Sequence, residues 1–229
     1  MKARPTSVVL LVVGLASPAA GQTAPDDRPV RRIEATVGGG WFGGAHLGDV
    51  DADLRANTSP PQPLRLFSTD TRLAGTPALD AAVGFAFNRR WGIEGSVAIS
   101  RPELRSSITA DAEGAQALTV VERIDQYLIE GRLVVMLDGL RLGQRTIPFA
   151  TAGAGYLRQR HEGHILVEEG YVYQAGGGLK HWLLLRDRGV IRAAGVRIDA
   201  RLYLLTSGIA FDDGPRPHGA VSGALFLGF

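Results

Sequence analysis

Five histidines, 23 carboxylates and no cysteine are the chain's stock of groups able to carry protons or hold a metal. His161-Glu-Gly-His164 has the residue types of a zinc-binding pair, but the second histidine comes one residue earlier than in the zincin helix motif, and its surroundings read as a loop. Asp49-Val-Asp-Ala-Asp53 opens like a calcium loop. Leu54 then replaces the turn glycine, and Pro60 stands where a bidentate glutamate belongs. His218 and Ser222 lie on one face of an expected strand, about 13 Å apart along it, which is too far for proton transfer between them. We therefore expect no catalytic residue, no cofactor and no metal centre.

A different set of charged residues carries more information. Glu34, Asp80, Glu94, Glu130, Arg132, Lys180, Arg197, Asp199 and Arg201 each sit in a segment of alternating polarity, always on the face opposite the large apolar residues. Acid and base nearly balance among them. Gathered inside a narrow barrel, they would pair with one another.

Eight such segments can be read. They run over about 33–41, 78–87, 91–99, 124–137, 148–158, 171–184, 196–204 and 218–229. Leu79, Ala81, Val83, Phe85 and Phe87 alternate with Asp80, Ala82, Gly84 and Ala86, and Val196, Ile198, Ala200, Leu202 and Leu204 alternate with Arg197, Asp199, Arg201 and Tyr203. In the fifth segment, Ala150, Ala152, Ala154 and Tyr156 are expected outward. Gly176-Gly-Gly178 in the sixth is expected to bulge and shift the register. Short connections near 88, 140 and 188 alternate with long ones near 60, 110, 165 and 211. The long connections over 42–77 and 101–118 are expected to be exposed loops, the first because Ser59-Pro-Pro-Gln-Pro63 removes ladder donors.

Aromatic residues fall at two heights. Trp41, Tyr127, Tyr156, Tyr171 and Tyr173 stand near the long connections, and Phe87, Trp91, Phe149, Trp182 and Phe229 near the short ones. Two aromatic levels flanking an apolar band are what a membrane with two interfaces selects. Lys2 and Arg4, the apolar run Val8 to Ala16, and Ala19 with Gly21 predict a secretory signal over 1–21, followed by a flexible lead-in over 22–30 and a barrel over 31–229. Removing Lys2 and Arg4 takes the formal charge of +2 to zero, which leaves no basic excess for nucleic acid.

The terminal alternation ending at Phe229, the turn and strand Asn88-Arg-Arg-Trp91-Gly-Ile-Glu94, and the glycine-rich strand Pro148 to Tyr156 resemble those of the small eight-stranded outer-membrane β-barrels, the OmpA-like transmembrane domains, without their peptidoglycan-binding domain. The fold expected is all-β: an eight-stranded antiparallel up-and-down transmembrane barrel with a polar, charge-filled interior. The resemblance implies residence in a bacterial outer membrane, outer-membrane lipids and lipopolysaccharide as surroundings, and a possible protein partner at the outer loops. A structural or surface-interaction role is the expected function. A narrow pore, a carrier of apolar molecules, a lipid A-modifying enzyme and a lipocalin-like secreted binder are the alternatives, the last suggested by Gly39-x-Trp41.

Overall fold

The computed structural model describes residues 32–55, 63–109, 112, 116–162, 166–206 and 216–229. The expected signal and lead-in, residues 59–62 of the proline-rich stretch, His164, Asp212 and Asp213 lie outside the described residues.

Eleven strands occur in chain order: β1 (Ile33–Phe42), β2 (Ala45–Arg55), β3 (Pro63–Leu73), β4 (Thr76–Ala86), β5 (Trp91–Ser100), β6 (Glu103–Thr109), β7 (Leu118–Met136), β8 (Thr146–His161), β9 (Val167–Leu185), β10 (Ala193–Leu205) and β11 (Arg216–Gly228). Eight of them close a barrel in the order β1, β4, β5, β7, β8, β9, β10, β11, every neighbouring pair being antiparallel. Closure is made by β1 on β11, with Glu34 opposite Gly228 and Phe42 opposite Ala220. The amide of Phe229 adds one more bond, donating to the Ile33 carbonyl at 2.9 Å. Closing the sheet pairs every barrel strand on both sides, which an apolar surrounding requires.

At one end the turns are short. Asn88 makes the first of them, its side-chain oxygen accepting the amides of Arg90 at 2.9 Å and Trp91 at 2.8 Å. At the other end the structure departs from expectation. The segments read as exposed loops contain β2, β3 and β6, which pair in the order β2, β3, β6, β7 and carry half of the barrel wall upward as a second sheet. The 19 residues of β7 serve both sheets, where about 9 to 11 suffice to cross a bilayer. The prolines misled the reading because they flank these strands rather than interrupt them, and the alternation there is reversed in polarity.

The glycine triplet also departs from expectation. Gly176, Gly177 and Gly178 pair in regular register with Arg201, Ala200 and Asp199, while the irregularity between β9 and β10 falls at Ala194/Gly195. The triplet serves clearance instead. A Cβ on Gly178 would meet the Asp199 Cβ at 2.7 Å, one on Gly176 the Arg201 Cγ at 2.8 Å, and one on Gly153 the Arg132 Cβ at 2.8 Å. Lumen-facing glycines of β8 and β9 thus stand beside the bulky charged residues of β7 and β10, and small beside large fills the interior.

Gly178→Ala is expected to lower unfolding stability by about 1–3 kcal/mol, since its Cβ crowds the Asp199 backbone and Cβ. Gly131→Ala, whose added methyl meets nothing within 4 Å, is expected to change it by no more than about 0.5 kcal/mol. Urea titration of the refolded chain in detergent micelles reads both.

Candidate functional site

Parity along each strand decides which side chains enter the barrel. Leu79, Val37 and Val83 project from the outer surface, Leu79 being 72% exposed, whereas Arg132 is 3% exposed and Glu130 4%. This is the reverse of a soluble lipocalin, whose interior is apolar and whose exterior meets water.

The buried charges form one connected network at mid-height. Glu94 accepts from both Arg132 and Arg197, the latter at 2.8 Å, so one carboxylate serves two guanidinium groups. Arg197 Nε donates to Asp199 Oδ2 at 2.9 Å, and Arg201 Nε lies 2.8 Å from Asp199 Oδ1. Arg201 also approaches Glu130 at 3.7 Å and Asp80 at 3.9 Å, and donates to the Ser222 hydroxyl at 2.9 Å. Tyr203 and Ser96 donate to Glu130 at 3.4 and 3.5 Å. Lys180 and Glu34 stand apart as a pair at 2.6 Å. The structure therefore brings together all nine charged residues singled out from the sequence, seven in the network and two in this pair. Isolated ions in this setting would cost several kcal/mol each, so mutual pairing is what permits their burial.

Apolar layers lie above and below the network. Toward the second sheet, Leu128, Leu157, Val172, Tyr203 and Leu205 pack into a buried cluster with Phe42 against it. Toward the short turns, Trp182 meets Phe226 edge-on at 5.9 Å, and a cavity of about 180 Å³ opens at the rim, bounded by Ile147, Val134 and Met136 with Glu94, Lys180 and Glu34 deeper in. Glu94, which carries the two arginines, lines its inner end. Leu128 therefore belongs to the upper layer and Val134 to the lower, so the lumen holds no continuous apolar channel.

Trp41, Phe87, Trp91, Tyr171, Tyr173 and Phe229 are exposed on the outer face, and Tyr127 and Tyr156 are half-buried there. Phe149 and Trp182 correct the sequence reading, because both turn inward. Phe149 is buried beneath Arg197, whose guanidinium carbon lies 4.3 Å from the ring centre, and Trp182 shares with Phe226 the neighbourhood of the Lys180 ammonium. Both belong by parity to the inner face, Phe149 alternating with Ala150 and Trp182 lying two residues from Lys180. Strand position sets height, but parity sets the face.

At the upper inner mouth stands a grouping the sequence reading did not assemble. His161 ends β8 pointing inward, with Nδ1 3.0 Å from Glu122 and Nε2 3.9 Å from Glu168. Only the β7–β8 register, Ile124 opposite His161, could have revealed this. On the second sheet His46, Asp49 and Asp70 come within ligand distance of one another. Arg72 already claims Asp70, its Nε donating at 2.8 Å, and holds that carboxyl below the usual carboxylate range. His218 and Ser222 do not meet: His218 Nδ1 faces the Gly43 carbonyl at 3.3 Å, while Ser222 donates to Asp199 at 2.8 Å.

Polarity reverses along β7. Within the barrel, Tyr127, Ile129 and Leu133 face out while Gln126, Glu130 and Arg132 face in. Beyond Asp125, Arg123 and Thr119 face out and the fully buried Ile124 faces in, while Leu118 and Val120, on the side of Ile124 by parity, are more than half exposed, as is Val121 on the other side. The neighbours agree: Arg72, Asp70 and Arg105 are on the outer face and Leu73, Leu104 and Leu47 on the inner, the last three packing with the fully buried Ile124. At Asp125 the outward row of β7 therefore changes from apolar residues to Arg123, while Ile124 turns in to join the leucines of the second sheet.

No protein-family model matches the chain, and no curated protein sequence is similar to it. Solved structures similar in overall form include Ail, the attachment invasion locus protein of Yersinia pestis, at 13% identity and TM-score 0.41, covering 86% of this chain and 99% of that one. The N-terminal barrel of Pseudomonas aeruginosa OprF matches at 8% and 0.37, covering 86% and 98%, and the Escherichia coli outer membrane protease OmpT at 7% and 0.37, covering 86% and 95%. Likeness of this size carries no statement about role.

Two outcomes are expected. Brominated acyl chains in the surrounding lipid quench single-tryptophan variants retaining Trp41 or Trp91 strongly and a variant retaining Trp182 weakly. Glu94→Ala, which strips two arginines of their shared carboxylate, lowers urea stability by about 3–5 kcal/mol, whereas Thr119→Ala at an exposed position of the second sheet shifts it by no more than about 0.5 kcal/mol.

Proposed function

We propose that this protein is a bacterial outer-membrane barrel whose second sheet stands in water outside the bilayer and serves as a non-enzymatic surface for interaction. The reversal of polarity along β7 carries the reading. An apolar exterior is stable only against lipid, since contiguous apolar patches beyond a few hundred Å² are rare on soluble monomers. A charged exterior with an apolar inner face is stable only against water. The change on β7 from outward Tyr127 to outward Arg123 over buried Ile124 supports a bilayer boundary near Asp125. Between Trp91 and Ile99, which faces Tyr127, the wall runs about 26 Å along the strand. Tilted by about 40°, that spans about 20 Å, close to the apolar band of such barrels. The signal features of residues 1–21 provide a route of export.

The alternatives receive less support. A pore needs a water path, and the ion network with its two apolar layers fills the lumen. A lipid A-modifying enzyme would need a nucleophile beside its base, and Ser222 and His218 are committed elsewhere. Outer-membrane lipids, lipopolysaccharide and a protein partner are the contacts this placement offers.

Unboiled in detergent, the refolded chain is expected to migrate apart from its boiled form on a gel, and in planar bilayers to give no single-channel steps. A single mobility would count against the closed membrane barrel. Steady conductance would favour the pore.

A further inference from the structure

Small residues on the inner face of the barrel have two different causes. Those of β8 and β9 give clearance to bulky neighbours: a Cβ at Gly153, Gly176 or Gly178 would meet a neighbouring side-chain carbon at 2.7 or 2.8 Å. Gly84 is unlike them. It faces inward between Glu34 and Glu94, yet a Cβ there would meet the Ile93 carbonyl oxygen at 3.5 Å and Glu94 Cγ at 3.7 Å, both ordinary contacts. Ala86 and Gly92, opposite one another on β4 and β5, continue the same hollow toward the short turns. Packing does not require this space, which is the cavity of about 180 Å³ at the short-turn rim.

The charges deep in this cavity are already matched. Glu94 is held by Arg132 and Arg197, and Lys180 by Glu34. The walls between them, Val134, Met136, Ile147 and Trp182, are apolar and offer water few partners. The outer part has another character. Arg32, Arg89, Arg90 and Arg141 line it, at the start of β1 and in two of the short turns, and the carboxylate that lines it beside them, Asp138, is 3.1 Å from Arg141. An apolar hollow behind a rim with positive charge in excess selects a molecule with an apolar body and an anionic head. A dry cavity of about 150 Å³ admits a benzene ring, and that sets the size of the body.

We propose that this cavity is a binding site for a small amphipathic carboxylate, an aromatic or short alkyl acid whose body lies against Val134, Met136, Ile147 and Trp182 and whose head meets the arginines of the rim. A cation of the same shape is repelled by that rim, and a neutral analogue keeps the body's contacts while losing those of the head. On the membrane placement proposed above, the mouth opens to the periplasm and the ligand arrives from that side. The site itself rests on the closed barrel and not on the placement.

The refolded full chain in lipid nanodiscs, as the variant retaining Trp182 alone, is titrated with para-bromophenylpropionate and with the alcohol and the amine of the same skeleton, and bromine quenching of the indole is followed. Saturable quenching by the carboxylate is expected, at a concentration about fivefold below that needed for the alcohol or the amine, the factor for roughly 1 kcal/mol of head-group pairing. The variant retaining Trp41 alone, on the outer wall at the other end of the barrel, reports partition into lipid and is expected to show no saturable phase. Ala86→Phe, which fills the hollow, is expected to abolish the saturable phase, and Arg32→Gln with Arg89→Gln and Arg90→Gln to bring the carboxylate to the affinity of the alcohol. Absence of saturable quenching at Trp182 would overturn the site, and equal affinity for the three heads would overturn its anionic class. Neither outcome depends on the Ala86 or arginine variants. The gel mobility shift of the same chain reports barrel closure separately, so failure of the site is distinguished from failure of the fold.

Discussion

Glu94 holding Arg132 and Arg197 at once is the interaction on which the rest of this molecule depends. Charges buried at mid-barrel are tolerated only because each finds a counter-charge, and here the partners come from four strands, β4, β5, β7 and β10. A network of that reach fixes which strands must face one another across the lumen. It also fixes what cannot be there: beside Arg132, Asp199 and Arg201 the lumen has no room for a side chain at positions 153, 178 and 176, and glycine fills them.

With polar matter occupying the inside, the apolar residues are left for the outside, and a sheet with that polarity has to close on itself. An open edge in lipid would leave N–H and C=O groups unsatisfied. Closure, charge burial and the oily exterior are therefore one condition seen from three sides. Where the wall leaves lipid the condition lapses, and the same chain reverts to the arrangement of a soluble sheet, Ile124 buried with Leu47, Leu73 and Leu104 beneath a charged surface. The layering of the lumen has a functional side as well. Apolar, ionic and apolar strata are stacked along the axis, and under the proposed function the outer surface and the projecting sheet would be the places of recognition.

The eight barrel strands, their pairing into hairpins and the identity of the inward charges were legible in the amino-acid order, because period-two alternation reports directly on a wall with two unlike faces. The projecting strands were not. In β2 the run Asp49 to Asp53 reads as an acidic loop, since its charges alternate with Val50 and Ala52 in the opposite sense to the barrel's, and two bulges break its register with β3. Phe149 and Trp182 were misplaced for another reason: their height along the strand suggested a membrane interface, while their parity already assigned them to the lumen.

By itself, then, the order of residues determined a two-faced wall of eight segments and the set of charges confined to one face, since alternation is a local property written within each segment. Tertiary structure alone decided which charges meet, that Glu122 and His161 share the upper mouth, and where outward stops meaning lipid. These depend on the relative stagger of strands distant in the chain, and stagger is set by closing the barrel.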